Sequence, residues 1–217
     1  MNEIWDVVHE ERRALAADLT ELEPEAWDTP SLCPGWTVHD VVAHLVNDAK
    51  TTWAGFAGEM LKARFDFDAL NEHGVARERQ ADPRETLANL RAVSGRTSSA
   101  PAPRVTRLVE AFVHGEDIRR PLGISRSYPP GPLLEALKHQ LATSTGFGGG
   151  KERAAGVILE ATDTDFHGRP TSPAVNAAPV VRGSTLALLL AVSGRPVRPG
   201  ELDGDGASAF AVTSGDG

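Results

Sequence analysis

The stretch Arg104-Val105-Thr106-Arg107-Leu108-Val109-Glu110-Ala111-Phe112-Val113-His114-Gly115-Glu116-Asp117-Ile118-Arg119 decides the fold class. Val105, Leu108, Val109, Phe112 and Val113 recur at helical spacing, and Pro121 and Gly123 end the run. The spacing predicts a single helix over 104–119 whose apolar stripe faces a core. Other helices precede it. Glu3 to Leu19 carries Ile4, Val7, Val8, Leu15 and Leu19 near a 3.6-residue period. Residues 28–36 read as a loop, punctuated by Pro30, Pro34 and Gly35. Thr37 then has the character of an N-cap, with Asp40 as its capping-box partner. Val41, Val42, Leu45, Trp53 and Phe56 extend one stripe to about Lys62. A further start is marked by Asp82 as cap, Pro83 at the first helical position and Glu85 just beyond. A Ser/Pro/Ala linker at 96–103 leads back to the first helix.

Beyond it, Pro132 to Thr145 fits one more helix, and then the character changes. Gly146 to Gly150 reads as a glycine-rich hinge, followed by short β-like runs at Val157 to Leu159 and Ala209 to Val212. Between those runs Ser184 caps an apolar helix, Thr185 to Val192, which stops at Gly194. The glycine run is not a phosphate loop, because no Gly-Lys-Ser/Thr follows it. The expected organisation is a helical bundle over residues 1–146 and a small α+β unit over 151–217.

Composition removes several function classes. Of 217 residues, 41% are hydrophobic and 24% charged, an ordinary globular balance. Lys and Arg number 22 against 30 Asp and Glu, for a net charge of -8. Nucleic-acid and anionic-membrane binders carry the opposite surplus. The one cysteine, Cys33, excludes an internal disulfide and any zinc site of several thiolates. The first residues are acidic where a signal peptide is basic, and the longest apolar run, Leu186 to Val192, is too short to span a membrane. A soluble, cytoplasmic protein is expected, with no nucleic-acid or membrane partner.

The chemistry centres on Glu110 and His114. Four residues along a helix advance about 400°, so both side chains leave the same face one turn apart. A carboxylate and an imidazole so placed can share a divalent metal, or simply form a surface contact. Asp117 lies near the same face as a further ligand or a hydrogen-bond acceptor for one. A third ligand must come from another helix, and His44 is the candidate, although Asp40 and Asp48 lie one turn away and could satisfy a buried histidine instead. His39 points roughly 140° away from His44. Cys33 has no base at recognisable spacing and reads as structural, and Trp36 reads as a packing anchor. His9, His73, His139 and His167 read as surface residues.

Two motifs together carry a resemblance. Cys33-Pro34-Gly35-Trp36-Thr37-Val38 with Asp40 and Ala43-His44-Leu45, and Glu110 to Asp117 followed by Arg119-Arg120-Pro121-Leu122-Gly123, resemble the signatures of DinB-like metal-binding bundles. More narrowly they resemble the mycothiol-dependent maleylpyruvate isomerase family. Gly183 to Leu190, Ser193 to Pro196 and Glu201 to Gly206 are similar to that family's sterol-carrier-like tail. The resemblance implies a DinB-like four-helix bundle with a small α+β C-terminal domain. It implies a metal held by His44, Glu110 and His114, and a tail arginine reaching the site, carried here onto Arg195.

From that resemblance follows a metal-dependent enzyme using a low-molecular-weight thiol such as mycothiol. The metal is expected to be Zn2+, with Ni2+ or Fe2+ accepted by the same donor set. In the isomerase type, the thiolate adds to an activated cis double bond, rotation follows, and the thiolate leaves. A mycothiol-type S-transferase shares the activated thiol and acts on an electrophilic substrate. A non-catalytic metal-binding or stress-associated protein would instead close the coordination shell with a fourth ligand such as Asp117. Arg119 and Arg120 could anchor an anionic substrate or complement the helix C-terminus. Bundles of this resemblance often pair into homodimers, and nothing in the sequence marks an interface helix.

Overall fold

The computed structural model describes residues 3–168 and 178–210. Among these are eight α-helices and a three-stranded sheet, in two compact units, Met1–Ser127 and Tyr128–Gly217.

The first unit holds α1 (Glu3–Asp18), α2 (Val38–Lys50), α3 (Trp53–Lys62), α4 (Phe67–Glu78), α5 (Pro83–Val93) and α6 (Thr106–Arg119). Packing centres on α2, which lies against α4, α5 and α6, while α1 lies against α5 and α6. The capping box forms as the sequence predicts. The Thr37 backbone N–H donates to Asp40 Oδ2 at 2.9 Å, and the Asp40 N–H returns to Thr37 Oγ1 at 3.3 Å. Behind that cap Val38, Val41, Val42, Val46 and Ala49 are fully buried. The four valines join Leu15, Leu19, Trp27, Leu45, Leu87, Leu90 and Ile118 in one apolar cluster. Each such branched side chain contributes roughly 1.5–3 kcal/mol over an exposed one.

The sequence stripe from Val41 to Phe56 does not form one helix. Thr51 and Thr52 both adopt extended conformations, and Thr52 Oγ1 accepts the Gly55 N–H at 3.2 Å to start α3 afresh. Apolar periodicity continued through the break because α3 resumes with a similar composition. The helix α4 was missed, since its few apolar residues show no helical stripe. It is set instead by Asp66, whose carboxylate caps Asp68 N and Ala69 N.

The second unit contains α7 (Pro130–Ala142), β1 (Ile158–Ala161), β2 (Val180–Gly183), α8 (Thr185–Val192) and β3 (Leu202–Asp203). Strand β2 is central, parallel to β1 and antiparallel to β3. Ser184 caps α8 through Ala187 N at 3.1 Å. That helix packs on α7, β1 and β2, burying Leu188, Leu189 and Leu190 completely. The expected strand at 209–212 begins as a 3-10 turn, Ala207–Phe210, and its last two positions lie outside the described residues.

The division between units falls at Ser127 and Tyr128 rather than near Gly146 to Gly150. Helix α7 belongs with the C-terminal residues because its apolar face is covered by α8. Nor is the glycine run an open hinge. Gly149 and Gly150 are buried, and a Cβ at Gly150 would lie 2.3 Å from Val192 O and 2.8 Å from Val192 Cβ. Glycine is required there by close backbone approach. No described helix is long and apolar enough to cross a membrane.

Two alanine substitutions separate these readings. Gly150→Ala forces a clash with the end of α8 and is expected to lower stability by about 1–3 kcal/mol. Gly156→Ala, where nothing lies within 4 Å of the added carbon, should stay within about 0.5 kcal/mol of wild type. Denaturant unfolding of both variants checks the pair, and equal effects would return the segment to a hinge.

Candidate metal centre

The side chains of His44 on α2 and of Glu110 and His114 on α6 converge. Glu110 Oε2 lies 3.2 Å from His44 Nε2 and 3.2 Å from His114 Nε2. The two imidazole rings meet edge to face with centroids 4.7 Å apart. One donor atom from each of the three residues lies within 4.8 Å of the others. The i,i+4 spacing on α6 sets Glu110 below His114, and the buried packing of α2 on α6 brings His44 across to them.

His114 is oriented from behind. Its Nδ1–H donates to Asp117 Oδ2 at 2.9 Å, and Asp117 is completely buried. Asp117 is therefore engaged with the imidazole's far nitrogen rather than turned toward Glu110. The loop before α2 is tied to the same helix, because Leu32 N–H donates to Asp117 O at 3.1 Å. Trp36 lies over His44 with ring centroids 5.2 Å apart, so its packing role includes a wall of the site. Glu110 leaves an opening, as its side chain keeps 28% exposure against 10% and 13% for the two histidines.

Electrostatics follow from this crowding. Surrounding protein disfavours the Glu110 carboxylate, but hydrogen bonds from His114 and His44 overcome that and hold its pKa well below the ordinary value. Burial lowers the pKa of His44, only partly offset by its bond to Glu110. Burial also works against the His114 cation, yet the bonds to Asp117 and Glu110 prevail and push it up to about 9.

The donor set suits a divalent cation. A tetrahedral metal with bonds of ~2.0–2.1 Å has ligand–ligand edges of about 3.3–3.4 Å, and both Glu110–imidazole separations are 3.2 Å. His44 Nδ1 is buried with no hydrogen-bond partner among the described residues. With no acceptor among the described residues fixing its tautomer, its proton can sit on Nδ1 when Nε2 faces a metal.

The remaining sequence candidates go elsewhere. Asp40 and Asp48 do not satisfy His44; Asp40 bonds Thr37 and Arg79, and Asp48 takes Arg12 and Arg107. His39 is buried on the far side of α2, its Nε2 2.8 Å from Thr86 Oγ1. Arg119 is fully buried, with Nε on Asp18 Oδ2 at 2.7 Å, and Arg120 bonds Glu116 Oε2 at 2.8 Å. Both arginines tie the first unit together. Cys33 is half-buried against the apolar cluster. Arg195 lies in the second unit, where its Nη1 donates to Ser193 O at 3.0 Å. Sequence reasoning missed Arg12 and Arg107, although Arg107, Glu110 and His114 share one face of α6.

Comparison with known proteins bears on the fold that carries these residues. Residues 8–104 match the family model of the mycothiol maleylpyruvate isomerase N-terminal domain. That is the family which the two sequence motifs resemble. The matched span contains His44 and stops before Glu110 and His114. Across 94% of this chain and 92% of the other, the fold is that of a crystal structure of the mycothiol-dependent maleylpyruvate isomerase, with a TM-score of 0.62 at 18% identity. A histidine-to-alanine mutant of the same enzyme gives 0.61 over the same coverage. Two Mycobacterium tuberculosis proteins described as uncharacterized, from strains CDC 1551 and H37Rv, are each 26% identical over 58% of this chain. The match covers 58% of their own length, so the chain spans little more than half of those relatives.

Metal uptake should be proton-coupled in a defined direction. At pH 7 the metal-free chain holds His114 protonated, His44 neutral and Glu110 ionised, so binding a divalent ion should release about one proton. The release should fall toward zero as pH rises through about 9. The His114–Asp117 pair likewise stabilises the metal-free fold fully below pH ~6.5 and loses that contribution through about 9. Calorimetry in buffers of different ionisation enthalpy measures the count. Asp117→Asn should lower both the proton count and metal affinity, the latter about 10–100-fold.

Proposed function

We propose that the chain is a metal-dependent enzyme that activates a low-molecular-weight thiol, of the mycothiol-dependent maleylpyruvate isomerase type. The observation that carries this reading is the convergence of His44, Glu110 and His114 on a face left open beside Glu110. The family match at 8–104 supports it independently. Helices α1, α2, α5 and α6 would form the DinB-like four-helix core around that centre.

In this reading His44 Nε2, Glu110 Oε2 and His114 Nε2 hold one divalent ion, with Zn2+ favoured by two nitrogens and a carboxylate. The ion would supply a Lewis-acidic position at which a thiol is deprotonated near neutral pH. Three protein ligands rather than four suit catalysis, and Asp117 supports that role by accepting from His114 instead of completing the shell. Asp117 holds the imidazole so that Nε2 faces Glu110, and Trp36 shields the His44 ring. The thiolate adds to the electron-poor cis double bond of the substrate. Rotation about the resulting single bond and departure of the thiolate give the trans product, with no net redox change. Arg195, the arginine that the resemblance carries over, is proposed to bind the substrate carboxylate. A cytoplasmic setting, where small thiols stay reduced, suits this chemistry.

The thiol should stabilise the metal-loaded chain and leave the metal-free chain unchanged. At about 100 times its dissociation constant the gain is about 2.7 kcal/mol, read as a rise in Tm. Glu110→Gln should weaken metal binding and abolish the thiol effect while preserving helical content. Equal stabilisation of metal-free and metal-loaded chains would place thiol binding elsewhere and overturn the proposal. Product analysis with maleylpyruvate and an electrophilic acceptor separates isomerase from S-transferase.

A further inference from the structure

One helical turn from His44, the Asp48 carboxylate is shared by two buried arginines. Arg12 on α1 and Arg107 on α6 are 4% and 5% exposed, and Asp48 on α2 is 9% exposed. Arg12 Nη2 donates to Asp48 Oδ2 at 3.4 Å, and Arg107 Nη1 donates to Asp48 Oδ1. The second Arg12 terminal nitrogen, Nη1, donates to Arg96 O at 3.0 Å, and Arg107 Nε and Nη2 contact Thr106 Oγ1. Hydrogen bonds thus hold both guanidinium groups in place, but two positive charges meet one negative charge away from water. Such a surplus is expensive unless another anion lies near.

Glu110, one helical turn beyond Arg107 on α6, supplies negative charge that favours the Arg12 cation in the metal-free chain. Burial and then Arg107 lower the Arg12 pKa to about 10, while Glu110 acts in the opposite direction. Arg107 in turn disfavours the His44 cation. The arginine pair and the His44–Glu110–His114 centre therefore sense one another's charge. Spacing explains it: His44 and Asp48 are i,i+4 on α2, and Arg107 and Glu110 are i,i+3 on α6. Once Glu110 is committed to a cation, its charge no longer compensates the arginines.

We propose that Arg12 and Arg107, locked on Asp48, are positioning residues that keep a standing positive potential beside the metal centre and so select an anionic ligand, thiolate or carboxylate, for its open face. This rests on the metal reading above. It assigns the selection to the first unit's own core, apart from any role of Arg195. The arginines act through the field across the helix interface and remain bonded to Asp48 throughout.

Charge-changing variants of the cobalt(II)-loaded chain test this, with thiocyanate as the probe and the visible spectrum as the readout. Asp48→Asn keeps the shape and removes the negative charge, so thiocyanate should bind several-fold to about tenfold tighter although the fold is less stable. Arg12→Gln should bind it about tenfold more weakly, and Arg12→Lys, which keeps the charge, should remain within about twofold of wild type. A purely structural clamp predicts the reverse pattern: all three variants lose affinity in proportion to lost stability. Asp48→Asn no tighter than wild type, at intact cobalt stoichiometry, overturns the proposal. Should Asp48→Asn fail to fold, equal affinities of Arg12→Gln and Arg12→Lys overturn it instead. Failure of the wild-type chain to take up cobalt overturns the metal reading and this inference with it, and is distinguished by metal analysis alone.

Discussion

The Glu110 carboxylate held between the imidazoles of His44 and His114 fixes the register in which α2 meets α6. Polar groups at a helix interface tolerate little sliding, because a slip of one turn leaves buried donors and acceptors without partners. Asp117 behind His114 and Asp48 beside the two arginines add to the same constraint. The apolar residues of α2 then pack at the register this polar seam allows, with Val38, Val41, Val42 and Val46 excluded from solvent.

That arrangement reverses the usual division between a hydrophobic interior and a polar surface. Along the α1–α2–α6 contact, Arg12, His44, Asp48, Arg107 and Asp117 are all buried, together with the neighbouring Glu11, Glu116 and Arg119. Replacing such groups by apolar ones of similar volume often stabilises a protein, whereas removing one partner of a buried pair is strongly destabilising. The second unit offers a contrast. Its helix α8 is almost wholly apolar and packs on α7 and the sheet with few buried charges.

Much of this was readable in advance, element by element. Thr37 and Asp40 announced the start of α2, Asp82 and Pro83 that of α5, and Ser184 that of α8, because caps are local and use only neighbouring backbone. Helix α4 was not readable, since its burial comes from lying on α2 and leaves no apolar stripe. The break at Thr51 and Thr52 was hidden because apolar periodicity continues across it. The glycines at 149 and 150 read as a hinge because sequence shows their freedom but not the neighbours that confine them.

The sequence by itself determined that Glu110 and His114 share a face, since helical pitch alone places residues four apart in one line. It also determined that His44 and Asp48 share a face of their own helix. Only the tertiary structure decided that these two faces meet, that Asp117 serves the far nitrogen of His114, and that Asp48 turns from His44 to Arg12 and Arg107. The physical reason is range. Capping and i,i+4 geometry are settled within one turn of backbone, whereas the pairing of buried charges depends on which helices pack and in what register. Arg12 lies 95 positions before Arg107 in the chain, and no local rule connects them.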